Sequence, residues 1–233
     1  MNLRVIFRSI FCLFVLGFHP ISALTHSDST IKFEQLLVAS EQASESGKWT
    51  QAIHFGKSAL QACSAQLSES AGQCINIMRN NALTYQQAGK LSEYAEEIER
   101  AYRVALSQLG PMHYATIKIR EVFYKLTVNQ NRYSETIPIV IALIHNERKT
   151  DNNEYKILEW FLELRQLYKK TDQVQYEEPT LESIVTLTKK NIGVETNDFK
   201  QAVTALANCY CKQKHYDKFD ALIDRYLLDI SCP

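Results

Sequence analysis

Glycine and proline are scarce in this chain, at 7 and 5 of 233 residues. That scarcity leaves an almost wholly α-helical chain with short turns as the fold class. Charge of either sign is not in excess: Lys+Arg and Asp+Glu both total 26, so nothing pulls the chain generally toward nucleic acid. The motifs of common chemistries are also missing. There is no His-Glu-x-x-His pair for zinc, no Gly-x-Ser-x-Gly elbow, no glycine-rich loop to cradle phosphate, and no Cys/His spacing of a zinc site. Carboxylate pairs such as Glu96-Glu97 and Glu177-Glu178 are adjacent on helices, where they diverge rather than share a substrate atom. Neither catalysis nor a cofactor is implied. No Asn-x-Ser/Thr acceptor occurs either, which fits a bacterial origin.

Long apolar runs are absent apart from one at the N-terminus. MNLRVIFR carries two arginines, SIFCLFVLGF is apolar, and His19-Pro20-Ile21-Ser22-Ala23 follows. This is the three-part layout of a secretory signal peptide, 1–23, with cleavage expected after Ala23. The uncharged apolar stretch is shorter than the roughly 20 residues a spanning helix needs, so no stable membrane span is expected after cleavage. Loss of Arg4 and Arg8 lowers Lys+Arg from 26 to 24, for a net charge of −2. A polar linker is expected over 24–30, and the mature protein is expected to be exported, periplasmic or secreted.

Cysteine is sparse but informative. Cys63, Cys74, Cys209, Cys211 and Cys232 remain after cleavage, an odd number that leaves at least one thiol unpaired or shared with another chain. Cys63 and Cys74 flank a short turn between two helices and could pair across it, or serve as small apolar fillers in the seam. Cys209 and Cys211 lie on one helix with side chains well apart, so they cannot bridge each other. Cys211 beside Lys212 is a candidate reactive thiol, against the reading of a packed, inert one.

What the chain does have is a repeat. Turns open at Gly47, Gly89, Asn131, Asp172 and Lys214. The residues two places on (Trp49, Leu91, Tyr133, Val174 and Tyr216) are 42, 42, 41 and 42 residues apart. Glycine or asparagine suits a left-handed conformation after a helix. Tyr85, Tyr168 and Tyr210 each sit four residues before a turn opening, Ala82 and Ala207 seven before, and Leu109-Gly110 and Ile192-Gly193 close second helices. Pro138 and Pro179 share a phase and are expected within first turns, where no backbone bond is lost. First helices are expected near 31–46, 73–88, 113–129, 153–170 and 197–213, and second helices near 50–67, 92–108, 134–149, 175–190 and 217–229. The repeats then cover 31–70, 73–111, 113–151, 153–194 and 197–230 within one domain, 31–230.

Leu109, Gly110, Pro111 and His113, with Thr116, form a linker that resembles the one between tetratricopeptide repeats of the 42-residue kind found in kinesin light chains and many bacterial proteins. The resemblance implies an all-α, right-handed helical-repeat superhelix of about five helix pairs. It also implies a scaffold that binds a protein or extended peptide in its concave groove. The chain departs from the pattern at Tyr114, where a second proline is usual, and at Thr127, where tyrosine is expected.

Helical periodicity assigns the groove lining from the first helix of each pair. Its candidate binding residues are Asn76, Arg79, Asn80, Gln86, Lys118, Lys125, Gln166, Lys169, Lys170, Asn208 and Lys212. Glu34, Glu41 and Glu45 make the N-terminal end acidic, while the lysines gather later. A solvated face explains such a list without function. A groove for an acidic partner segment explains it too, and then charge reversal at Lys125 and Lys169 abolishes capture. Two alternatives stand beside the groove-binding scaffold. One is a docking subunit engaged through the C-terminal helix pair, where no polar cap follows Leu227 and Leu228. The other is a thiol-dependent redox protein using Cys209, Cys211 or Cys232.

Overall fold

The computed structural model describes residues 25–232, with side chains from residue 33 onward; the signal segment 1–23 lies outside the described residues. Ten α-helices occur among the described residues, in five antiparallel pairs. They are α1 (Thr25–Glu45) with α2 (Trp49–Leu67), α3 (Gly72–Gln87) with α4 (Ala95–Leu109), and α5 (Tyr114–Asn129) with α6 (Tyr133–Lys149). Then come α7 (Glu154–Lys170) with α8 (Glu177–Asn191), and α9 (Asn197–Lys212) with α10 (Tyr216–Tyr226). Each helix packs on the next in sequence, and α3 also lies directly on α5. Such an array is held by near-neighbour contacts rather than by one central core.

The five turns share one geometry. Gly47, Gly89, Asn131, Asp172 and Lys214 have φ of 67°, 68°, 57°, 54° and 60°. The amide after each donates to the carbonyl five residues earlier: Lys48 to Ala43, Lys90 to Tyr85, Arg132 to Thr127, Gln173 to Tyr168 and His215 to Tyr210, at 2.8–2.9 Å. This Schellman closure satisfies carbonyls that the helix end would leave unpaired. The residue that follows is drawn inward in the second turn, where Leu91 is 7% exposed.

The linker resemblance has a physical basis. His113 caps α5, its Nδ1 accepting from the Ala115 amide at 3.2 Å. Thr116 Oγ1 donates to the Ala105 carbonyl of α4 at 3.1 Å, and buried Arg120 donates from Nη2 to the Pro111 carbonyl at 3.2 Å. Thr127, in place of tyrosine, is fully buried and bonds the Thr136 hydroxyl of α6 at 3.0 Å, joining the pair by a polar contact instead of a ring. Ala52, Ala59, Ala82, Ala101 and Ala207 are all buried and let helices approach closely.

Several boundaries differ from the expected ones. Helix α1 begins at Thr25, so most of the expected linker is helical. Helix α4 begins at Ala95 after a turn, and a 3-10 turn at Val174–Tyr176 precedes α8. Pro179 is the third residue of α8, within its first turn. Pro138 is not: it is the sixth residue of α6, one turn deeper than expected, and its nitrogen cannot donate to the Ser134 carbonyl. Pro138 and Ser134 are both exposed, so water reaches the freed carbonyl there.

Cys63 and Cys74 form a disulfide between α2 and α3, both fully buried. A second disulfide joins Cys211 on α9 to Cys232 in the C-terminal tail. Leu228, Ile230 and Cys232 of that tail pack on the core of the last pairs, while Leu227, with φ of 50°, turns out and is 90% exposed.

Candidate protein-binding face

The odd-numbered helices line three cavities, and five of the eleven candidate residues read from the sequence (Asn80, Lys118, Lys169, Asn208 and Lys212) line them. Between α1 and α3 a cavity of about 390 Å³ is walled by Leu37, Glu41, Glu45, Asn80 and Gln87. Its charge is acidic, and Asn80 Nδ2 reaches Glu41 at 3.5 Å. Between α5 and α7 a cavity of about 330 Å³ holds Lys118, Glu121, Glu147 and Lys156 beside Tyr114 and Trp160. Here both lysines are paired, Lys118 with Glu121 at 3.0 Å and Lys156 with Glu147 at 3.6 Å, and Asp151 adds a further carboxylate to the lining.

The third cavity, about 480 Å³, lies between α7 and α9 over the start of α8. Arg165, Lys169, Lys200 and Lys212 surround it, with Asn208 between them. Glu177 is its one carboxylate, and it is already taken by Arg165 at 3.3 Å and Lys169 at 3.7 Å. Lys200 and Lys212 make no ion pair among the described residues. Four cations against one occupied carboxylate make this end of the face an electropositive basin.

Direct packing of α3 on α5 interrupts the cavities. Arg79 donates to Asn80 Oδ1 at 2.8 Å and to Asn76 at 3.4 Å, and its guanidinium lies 5.4 Å from the centre of the exposed Tyr114 ring. Asn76, Arg79 and Asn80 therefore form one polar cluster. The other candidates are scattered: Gln86 is half-buried, Lys125 and Gln166 are exposed away from all three cavities, and Lys170 Nζ sits 4.2 Å from the Tyr133 ring centre. Lys125 thus has no place in the basic basin that Lys169 helps to form.

Arg165, Lys200 and Glu177 escaped the sequence reading. Arg165 has the phase of Ala82 and Ala207, which are interior, and Lys200 that of Ile75 and Leu158, also interior. Glu177 belongs to a second helix. Charged residues at phases that are apolar in the sister repeats were the available signal.

The sulfur chemistry differs from one sequence expectation. Cys211 is not a free thiol beside Lys212, because it is bonded to Cys232. Among the described residues the unpaired cysteine is Cys209, buried, and burial together with Glu177 and Glu178 pushes its thiol up to about 11. It is protonated at neutral pH, so no poised thiolate faces the cavity. Among the described residues no group of three or more His, Cys, Asp or Glu is placed to hold a metal, and no helix is long and apolar enough to cross a membrane.

The architecture is that of tetratricopeptide-like helical repeats. Nearly identical TPR-like repeats described as a kinesin light chain of Podosopora anserina superpose with a TM-score of 0.56 at 15% identity, covering 84% of this chain and 92% of that one. BtubC (BKLC) from P. vanneervenii matches with a TM-score of 0.51 at 15% identity, covering 87% and 81%. No family model matches the sequence, and no curated protein does.

Proposed function

We propose that this protein is an exported, non-enzymatic helical-repeat adaptor that holds an extended, acidic segment of another protein against its concave face. The observation that carries this reading is the basin between α7 and α9, where Lys200 and Lys212 stand without partners beside Arg165 and Lys169. An extended chain crossing it with Asp or Glu side chains neutralises charge that the fold leaves uncompensated. The tetratricopeptide-like neighbours support a protein-interaction scaffold. The N-terminal layout of 1–23 supports export, and two disulfides fit an oxidising compartment.

A fluorescein-labelled, glutamate-rich peptide titrated by anisotropy tests the groove. Lys200→Glu with Lys212→Glu is expected to weaken binding about tenfold and to flatten its dependence on salt. Lys125→Glu, outside the basin, leaves it unchanged. Equal affinity in the double variant and the wild type sinks the reading. Export has its own check: intact-mass measurement of the protein made from the full-length gene should give a chain beginning at Leu24. A chain retaining residues 1–23 contradicts it.

A further inference from the structure

A cavity of about 640 Å³ opens between α2 and α4 with α3 as its floor, on the even-numbered helices and away from the basic basin. Leu60, Met78, Ala82 and Ala101 supply apolar wall. Two ion pairs tie its sides together, Lys57 to Glu97 at 3.1 Å and Arg100 to Glu69 at 2.6 Å. These pairs join α2 and the turn after it to α4, and they balance the charge of the mouth.

Tyr85 supplies a hydrogen-bond donor at the cavity wall. It is 3% exposed, with its ring stacked on Tyr94 at 4.2 Å, and its hydroxyl makes no hydrogen bond among the described residues. The phenol feels the charges of Glu97 and Arg100, the two charged residues that α4 contributes to the cavity. Burial, with Glu97 nearby, raises its proton affinity, so it remains a donor at any physiological pH. Tyr85 lines the cavity and its hydroxyl is not sealed from it, so it opens there as a donor with no protein partner, available to water or to a ligand acceptor.

We propose that this cavity binds an uncharged, mainly apolar small molecule whose hydrogen-bond acceptor takes the Tyr85 hydroxyl. The volume is within the range of about 300–1,000 Å³ typical of such sites. Besides the apolar wall and the two ion pairs, His54, Ser58, Gln61, Ser64 and Asn81 line it with Tyr85, and apolar surface with a few placed polar groups is the usual composition of such sites. A charged ligand finds no counter-charge that is not already paired. The site is independent of the concave face, and a ligand here pins α2 to α4, the joint between the first two repeats.

Prodan, an uncharged naphthalene ketone whose emission moves to the blue out of water, is the probe. Saturable binding with a blue shift is expected, and Tyr85→Phe, which keeps the stacked ring, should weaken it about fivefold. Ser58→Phe, which fills the cavity from α2, should abolish it, with a circular-dichroism melt showing that the array is folded. Competition against wild type needs no variant: acetylnaphthalene should displace prodan about fivefold better than ethylnaphthalene, which lacks the acceptor. Lys200→Glu with Lys212→Glu should change nothing, so failure here and failure of the groove reading are separable. Equal binding by Tyr85→Phe and wild type, no preference for the ketone, or a non-saturable signal overturns the proposal, as does tighter capture of the anionic dye anilinonaphthalene sulfonate.

Discussion

Replacing Cys63 and Cys74 together by alanine is expected to lower the unfolding free energy by about 3 kcal/mol. The two are 11 residues apart, and the entropy that such a short loop removes from the unfolded chain has about this size. Both positions are fully buried, so the lost sulfur contacts add to the effect. The location matters more than the total. The bridge joins α2 to α3, and α2 is the element through which the first pair is held to the rest of the array. Because stability in a stacked array is largely local, the loss should fall on α1 and α2. Hydrogen exchange should show their amides deprotected while those of α8 and α9 keep their rates. A uniform loss along the chain, or no change in the urea midpoint, contradicts this account.

Gly56→Ala is expected to destabilise by about 2 kcal/mol, although glycine to alanine inside a helix ordinarily stabilises by about 1 kcal/mol. A Cβ at position 56 would lie 2.2 Å from Asn81 Oδ1 and 3.2 Å from Ser40 Oγ. Neither side chain is free to leave. Asn81 Nδ2 donates to the Gly56 carbonyl at 3.1 Å, and Ser40 Oγ donates to the Ala52 carbonyl at 2.8 Å. Three helices meet at this point, α1 through Ser40, α2 through Gly56 and α3 through Asn81. Urea titration checks the sign: a higher midpoint for Gly56→Ala contradicts the close approach. In an Asn81→Ala background the added methyl group should cost much less, since the colliding amide is gone.

The repeat was legible because its punctuation is stereochemical. A left-handed turn residue, an apolar residue two places on, and small residues at the helix crossings leave marks at a constant spacing, and Gly47, Gly89 and Asn131 carry the first of these plainly. The second marks the spacing without always pointing inward, since Leu91 is buried but Val174 and Tyr216 are exposed. Lys214 adopts the same φ with a side chain that gives no such hint, and only the phase of its neighbours located it. The Cys63–Cys74 pairing was one of two open readings, whereas the partner of Cys211 was not legible at all. Cys232 lies in a tail with no periodicity, and spacing does not determine connectivity. The lining of the basic cavity was half legible for a related reason. A stripe drawn on first helices finds Lys169, Asn208 and Lys212. It omits Glu177, which reaches the cavity from the start of α8, and Arg165, which stands at an interior phase. The cavity beside Tyr85 is built from two second helices, α2 and α4, over the first helix α3, with charge pairs far apart in sequence, and no local pattern announces it.

The tail that Cys232 fastens to α9 bears on assembly. The operation relating one helix pair to the next does not close on itself, so a bare final pair is a template for the first pair of another molecule, and repetition of that contact grows a filament. Leu228, Ile230 and Cys232 occupy the apolar surface at this end, and the bond to Cys211 holds them there. Covalent attachment keeps the tail at an effective concentration that a second copy in solution does not match. Apolar surface of the last pair is therefore covered by residues of the same chain.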